Sequence, residues 1–104
     1  MHPDFTADFF KTYINTVFKI CVDGVPPLEL RLIEIKENNQ PMLKEFTLIF
    51  SGPLDRVANE STYRIEHESL EPFEMFIGPF FTPRKKDAVY YQAVFTRFTE
   101  EQLP

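Results

Sequence analysis

The sequence predicts a mainly β fold: a small six-stranded antiparallel barrel, or a strongly curled sheet, with one N-terminal helix packed on it. Three observations carry this. Six segments alternate apolar and polar residues with a period of two, the pattern of a strand with one face in a core. A single segment has helical periodicity, so no second helix exists to make parallel crossovers and the strands must pair antiparallel. The chain also holds twelve Phe and four Tyr in 104 residues, enough aromatic bulk to fill a barrel interior. Closure removes the edges that so apolar a sheet would otherwise expose.

The helix is expected over residues 4–14. Asp4 or Thr6 can cap its first turn, and Asp8 early with Lys11 late suits the helix dipole. Phe5, Phe9 and Tyr13, with Phe10 and Ile14, recur at four-residue spacing as one apolar stripe. A helix of about three turns is marginal alone, so it must dock, as a plug or lid over a barrel end. Strand 1 is expected at 16–22, with Phe18, Ile20 and Val22 opposite Val17, Lys19 and Cys21; Asp23-Gly24 and Pro26-Pro27 turn the chain. Strand 2, at 28–36, slips its alternation by one residue at Leu32-Ile33. Such a slip sends later side chains to the wrong face unless an extra residue is absorbed, so a β-bulge is expected there.

Residues 37–44 read as a polar loop. Strand 3 at 45–51 turns Phe46, Leu48 and Phe50 inward and ends at Gly52-Pro53. Strand 4 at 62–67 puts Tyr63, Ile65 and His67 on one face. After the link 69–72, strand 5 at 73–77 ends at Gly78-Pro79. Residues 45–79 thus read as a three-strand antiparallel unit. Strand 6 at 88–98 sets Val89, Tyr91, Ala93 and Phe95 against Tyr90, Gln92, Val94 and Thr96.

Size and charge bound the function. A chain of this length predicts a single domain over 1–104, with a helical segment at 1–15 and a polar tail at 99–104. The net charge is -5, and residues 45–79 hold seven acidic against two basic side chains, which disfavours nucleic acid as a partner. With one cysteine, Cys21, no intrachain disulfide is possible. No secretory leader pattern and no apolar run of ~20 residues is present, so the expectation is a cytoplasmic protein with no membrane partner.

The strand patterns Phe46-x-Leu48-x-Phe50-x-Gly52-Pro53, Tyr63-x-Ile65-x-His67-x-x-Leu70, Phe76-Ile77-x-Pro79 and Tyr91-x-Ala93-x-Phe95 resemble a family of bacterial domains of about 100 residues and unknown function. The resemblance runs from about Phe9 to Phe95. The chain departs from it at Leu70, which is followed by Glu71 where the family usually has glycine. The family brings no assigned activity and no catalytic residues.

No catalytic, cofactor or metal constellation stands out. His67 is the most tempting residue, a candidate polar site with Tyr63 on its own face. It could serve as a proton shuttle or ligand, but alternation turns Glu66 and Glu68 away, which favours a structural role at the barrel rim. Lys19 beside Cys21 could activate the thiol, yet a packed or idle thiol fits better. No Gly-x-Ser-x-Gly elbow, metal-ligand spacing or glycine-rich phosphate loop is present. The adjacent pairs Phe80-Phe81 and Tyr90-Tyr91 put one ring on each face, and Arg84, Lys85 and Lys86 form a basic loop between them. Phe80, Phe81, Arg84, Lys85, Lys86 and Tyr90 are therefore the candidate interaction residues. The expected function is a non-enzymatic interaction or assembly module with a protein partner or a second copy, for instance an accessory component of a phage-tail-like or other multiprotein particle. The alternative is a small-molecule-binding barrel, and after it a hydrolase or isomerase built on His67.

Overall fold

The computed structural model describes residues 5–80 and 87–98. The chain forms α1 (Ala7–Lys11), β1 (Val17–Cys21), β2 (Leu28–Gln40), β3 (Leu43–Gly52), β4 (Ser61–His67), β5 (Leu70–Phe80) and β6 (Val89–Phe98). The strands close into a barrel in the order β1-β2-β3-β6-β5-β4, and every pair is antiparallel. Two three-strand meanders, β1-β2-β3 and β4-β5-β6, are thus joined edge to edge. This corrects the expectation of a contiguous unit over 45–79. β6 lies between β3 and β5, because residues 53–60 cross the end of the barrel before β4 begins.

The inward faces follow the alternation in the sequence. Phe18 and Ile20, Leu28, Leu30 and Leu32, Phe46, Leu48 and Phe50, Ile65, Phe73, Met75 and Ile77, and Tyr91 and Ala93 are all buried in one core. The bulge lies where the alternation slips: the β2–β3 register shifts between Leu32 and Glu34. Ile33 is the extra residue, and the shift returns Ile35 to the inner face opposite Leu48.

The expected loop over 37–44 is instead a hairpin. β2 runs to Gln40 and β3 starts at Leu43. Pro41-Met42 makes the turn, with Met42 at φ 67, and a proline followed by a positive-φ residue is the signature of a type II turn. Beyond the bulge this ribbon leaves the core. Its residues 36–40 are exposed, and no apolar alternation marks them. β5 likewise begins at Leu70 rather than after Pro72. Pro72 falls at a register irregularity of β4–β5, where a residue without an N–H costs no ladder bond.

The helix is shorter than its stripe. Regular α-helix covers only Ala7–Lys11, with Thr6 as N-cap accepting from the Phe9 N–H at 3.0 Å. A turn then carries the chain to Asn15 at φ 71, whose N–H donates to the Leu32 carbonyl at 2.7 Å. Lys11 bridges to Glu37 of β2 at 3.0 Å and to Asp8 at 3.2 Å, and these carboxylates push its ammonium pKa upward.

The helix plugs an opening in the wall. β5 and β6 pair only at Gly78↔Gln92, Pro79↔Tyr91 and Phe80↔Tyr90. Toward the helix end the two strands part, and Phe5 packs between them, 4.8 Å from Phe73 and 6.0 Å from Phe95 by ring centroids. Phe10 completes the plug against Phe18, Phe46, Phe73 and Phe95.

Candidate functional site

His67 ends β4 at the helix end of the barrel, buried at 8% exposure. Its ring lies 4.6 Å from Phe18 and 5.1 Å, edge-on, from Tyr13. The Ser69 N–H donates to Nδ1 at 3.0 Å, so in the neutral ring the proton sits on Nε2. Nε2 then donates to the Thr16 hydroxyl at 2.8 Å, and that hydroxyl donates to the Tyr13 carbonyl at 2.6 Å. One imidazole therefore ties the α1–β1 connection to the β4–β5 turn. Burial pushes its pKa down, with Glu68 opposing weakly. Protonating Nδ1 would set two donors face to face.

The polarity of this chain bears on catalysis. A histidine that activates a hydroxyl must offer a lone pair to it. Here Nε2 presents its proton, and the hydroxyl's own proton is held by a backbone carbonyl. Both ring nitrogens are engaged in hydrogen bonds within the fold. Tyr63 does not join His67. It sits near the start of β4, at the other end, and donates to the Asn59 carbonyl at 2.6 Å. The Cys21 thiol is pushed upward in pKa by burial and then by Glu66, the reverse of activation by Lys19. Among the described residues no group of three or more His, Cys, Asp or Glu side chains is placed to hold a metal ion.

Beside His67, on the outer wall of β1 and β4, lies an open groove of about 590 Å³. Lys19 and Arg31 line one side, Glu66 and Glu68 the other, and Val17 and Leu70 are also in its wall. Arg31 is engaged, its guanidinium donating to the Asn15 carbonyl at 2.9 Å.

The opposite end is built from loops. Residues 53–60 cross it, with the Ala58 N–H donating to the Tyr91 hydroxyl at 3.0 Å. That bond satisfies the one polar atom of a ring otherwise wholly in the core. Arg56 reaches across to the β1–β2 loop and donates to the carbonyls of Pro26 and Pro27 at 2.8 and 3.3 Å. The clamp leaves Val25, Leu54 and Val57 outside, at 50%, 61% and 59% exposure.

The pairing Gly52↔Val89 puts the start of β6 at this same end. Phe80 and Tyr90 meet there, 6.3 Å apart, on the outer face. Tyr90 points outward as alternation required, but it is buried, and its hydroxyl donates to Asp87 at 3.1 Å. Burial and then Asp87 raise its pKa. Phe81, Arg84, Lys85 and Lys86 lie outside the described residues. Three features escaped the sequence reading. Thr16, the partner of His67, is 51 residues away in the chain. Phe76 and Val94, on the outer faces of β5 and β6, are more than half exposed.

Residues 5–95 match a family described as a domain of unknown function, DUF6916. The chain belongs to this family. No curated protein and no solved structure matches it. The DUF6916 segment starts and ends on two rings that touch, Phe5 and Phe95. It therefore spans the plug, the whole of β1 to β5 and most of β6. Among the described residues no helix is long and apolar enough to cross a membrane.

Proposed function

We propose that this domain is a non-catalytic protein-docking module that works in the cytoplasm and uses the loop end of the barrel. One observation carries the reading. The Arg56 clamp ties together the two loops that carry Val25, Leu54 and Val57, each at least half exposed. Exposed apolar side chains on loops held in place suit a protein interface. Phe80, half-buried on the outer face, stands at the same end. An accessory subunit of a phage-tail-like or other multiprotein particle is one form of such a module. The test is the double variant Leu54→Asp, Val57→Asp. The reading expects it to keep the wild-type circular dichroism and melting temperature and to lose a partner, or a second copy, that the wild type holds in cross-linking and size-exclusion experiments. A wild type that is monomeric and holds no partner, or a variant that associates equally well, overturns it.

The groove beside His67 favours a second reading, a small-molecule-binding barrel whose ligand sits on the outer wall. The interior is filled by side chains, and about 590 Å³ lies within the range of ligand sites. Lys19→Glu should abolish ligand-induced thermal stabilisation if that reading holds; an unchanged shift would exclude it.

A further inference from the structure

We infer that the groove beside His67 takes a short aliphatic zwitterion, with a carboxylate at one end and an ammonium group at the other, an assignment that rests on reading this groove as a ligand site. Its charged lining is balanced. Lys19 and Arg31 supply two cations, and Glu66 and Glu68 supply two carboxylates. The signs are also sorted by strand. The cations stand on β1 and β2, and the carboxylates stand near the end of β4 and in the turn after it. A ligand of a single charge would meet attraction on one side and repulsion on the other. A molecule carrying both charges meets attraction on each.

These charges are not spent on one another. Lys19 lies opposite Glu66 in the β1–β4 register, yet among the described residues neither Lys19 nor Glu68 forms an ion pair. Arg31 donates to the Asn15 carbonyl and meets no carboxylate among the described residues. Glu66 is shared with Arg64, at 3.3 Å. The neutral polar groups of the wall offer less. His67 Nε2 donates to the Thr16 hydroxyl, and that hydroxyl donates to the Tyr13 carbonyl. Recognition therefore falls to the charged side chains.

The strand order sets the spacing of the ligand's charges. Val17 lies opposite Arg31, and β1 separates β2 from β4. Two strand spacings put the β2 and β4 backbones roughly 9–10 Å apart. Val17, Leu70 and Pro72 give the wall its apolar part. A carboxylate against Arg31 and Lys19 and an ammonium against Glu66 and Glu68 must therefore be joined by an aliphatic chain. Charges carried on a single carbon do not reach both sides.

The experiment is an NMR titration of the full chain at neutral pH and low ionic strength with 6-aminohexanoate, hexanoate, hexylamine and alanine in the millimolar range. The first should shift the amides of residues 17–19 and 66–70 and bind about fivefold more tightly than each of the others, the worth of one exposed charge pair at the upper end of its range. Lys19→Gln and Glu68→Gln, both at exposed positions, should each weaken it by about threefold without lowering the melting temperature. Glu74→Gln, outside the groove, should leave it unchanged. Two results overturn the zwitterion while the groove stands as a ligand site. One is hexanoate or hexylamine binding there as tightly as 6-aminohexanoate, and the other is alanine doing so. Shifts that neither Lys19→Gln nor Glu68→Gln weakens, or no shift in the groove from any probe, also overturn it. In the last case, thermal stabilisation by another ligand that Lys19→Glu abolishes would keep the groove as a site and reject only the zwitterion.

Discussion

Truncating Phe10 to alanine should cost the domain about 3–5 kcal/mol, the range for removing a buried phenylalanine. The ring is wholly buried and touches Phe5, Phe9, Phe18, Phe46, Phe73 and Phe95. These neighbours belong to the N-terminal segment and to four strands whose positions are fixed by barrel hydrogen bonds. They cannot collapse together to fill the void, so the upper part of the range is expected. A domain of this size is stable by roughly 5–15 kcal/mol, and each kcal/mol shifts its melting temperature by about 4–8 °C. The variant should therefore melt roughly 15–40 °C below wild type. Urea unfolding followed by fluorescence and circular dichroism measures this, and an unchanged m-value would show that the same surface is exposed on unfolding. A loss under about 1 kcal/mol would refute the reasoning, because it would mean that α1 is not seated in the opening between β5 and β6.

Other consequences are as direct. The folded pKa of His67 is depressed, so its contribution to stability is complete above the unfolded value near 6.5. It is lost as pH falls from there through the folded pKa. Urea midpoints between pH 7.5 and 5 should show this decline, and His67→Gln should flatten it. Gly52→Ala would set a Cβ 2.5 Å from Leu30 Cδ2 and 3.1 Å from Tyr91 Cε1, so thermal unfolding should show a loss of about 1–3 kcal/mol from overpacking. Tyr91→Phe strands the Ala58 N–H and should cost about 1–3 kcal/mol, with faster exchange of that amide. Arg56→Ala removes two exposed hydrogen bonds and should change global stability by less than about 1 kcal/mol, while exchange in residues 53–60 accelerates.

Strand identity was legible wherever one face meets the core. Phe46, Leu48 and Phe50 announce β3, and the slipped alternation at Leu32-Ile33 announces its neighbour's bulge, because burial on one face imposes a period of two. Where the chain leaves the core that constraint vanishes. Glu37 to Gln40 form good strand but read as loop, and Pro41-Met42 lacks the glycine that would have flagged the turn. Pairing order was not legible either. The pattern says that β3 has an inner face, and nothing in it says that β6, rather than β4, lies alongside. The structural role of His67 could be argued from its face and flanks. Its partner could not, since Thr16 meets it only once β1 and β4 close the barrel. Alternation gives Tyr90 its outward direction but not its burial, which depends on neighbours such as Phe80 and Asp87.

The most direct test of the docking account is cross-linking of the wild-type chain and of the Leu54→Asp, Val57→Asp variant under identical conditions. The account predicts a defined adduct for the wild type and none for a variant that remains folded. The same adduct from both chains would contradict it.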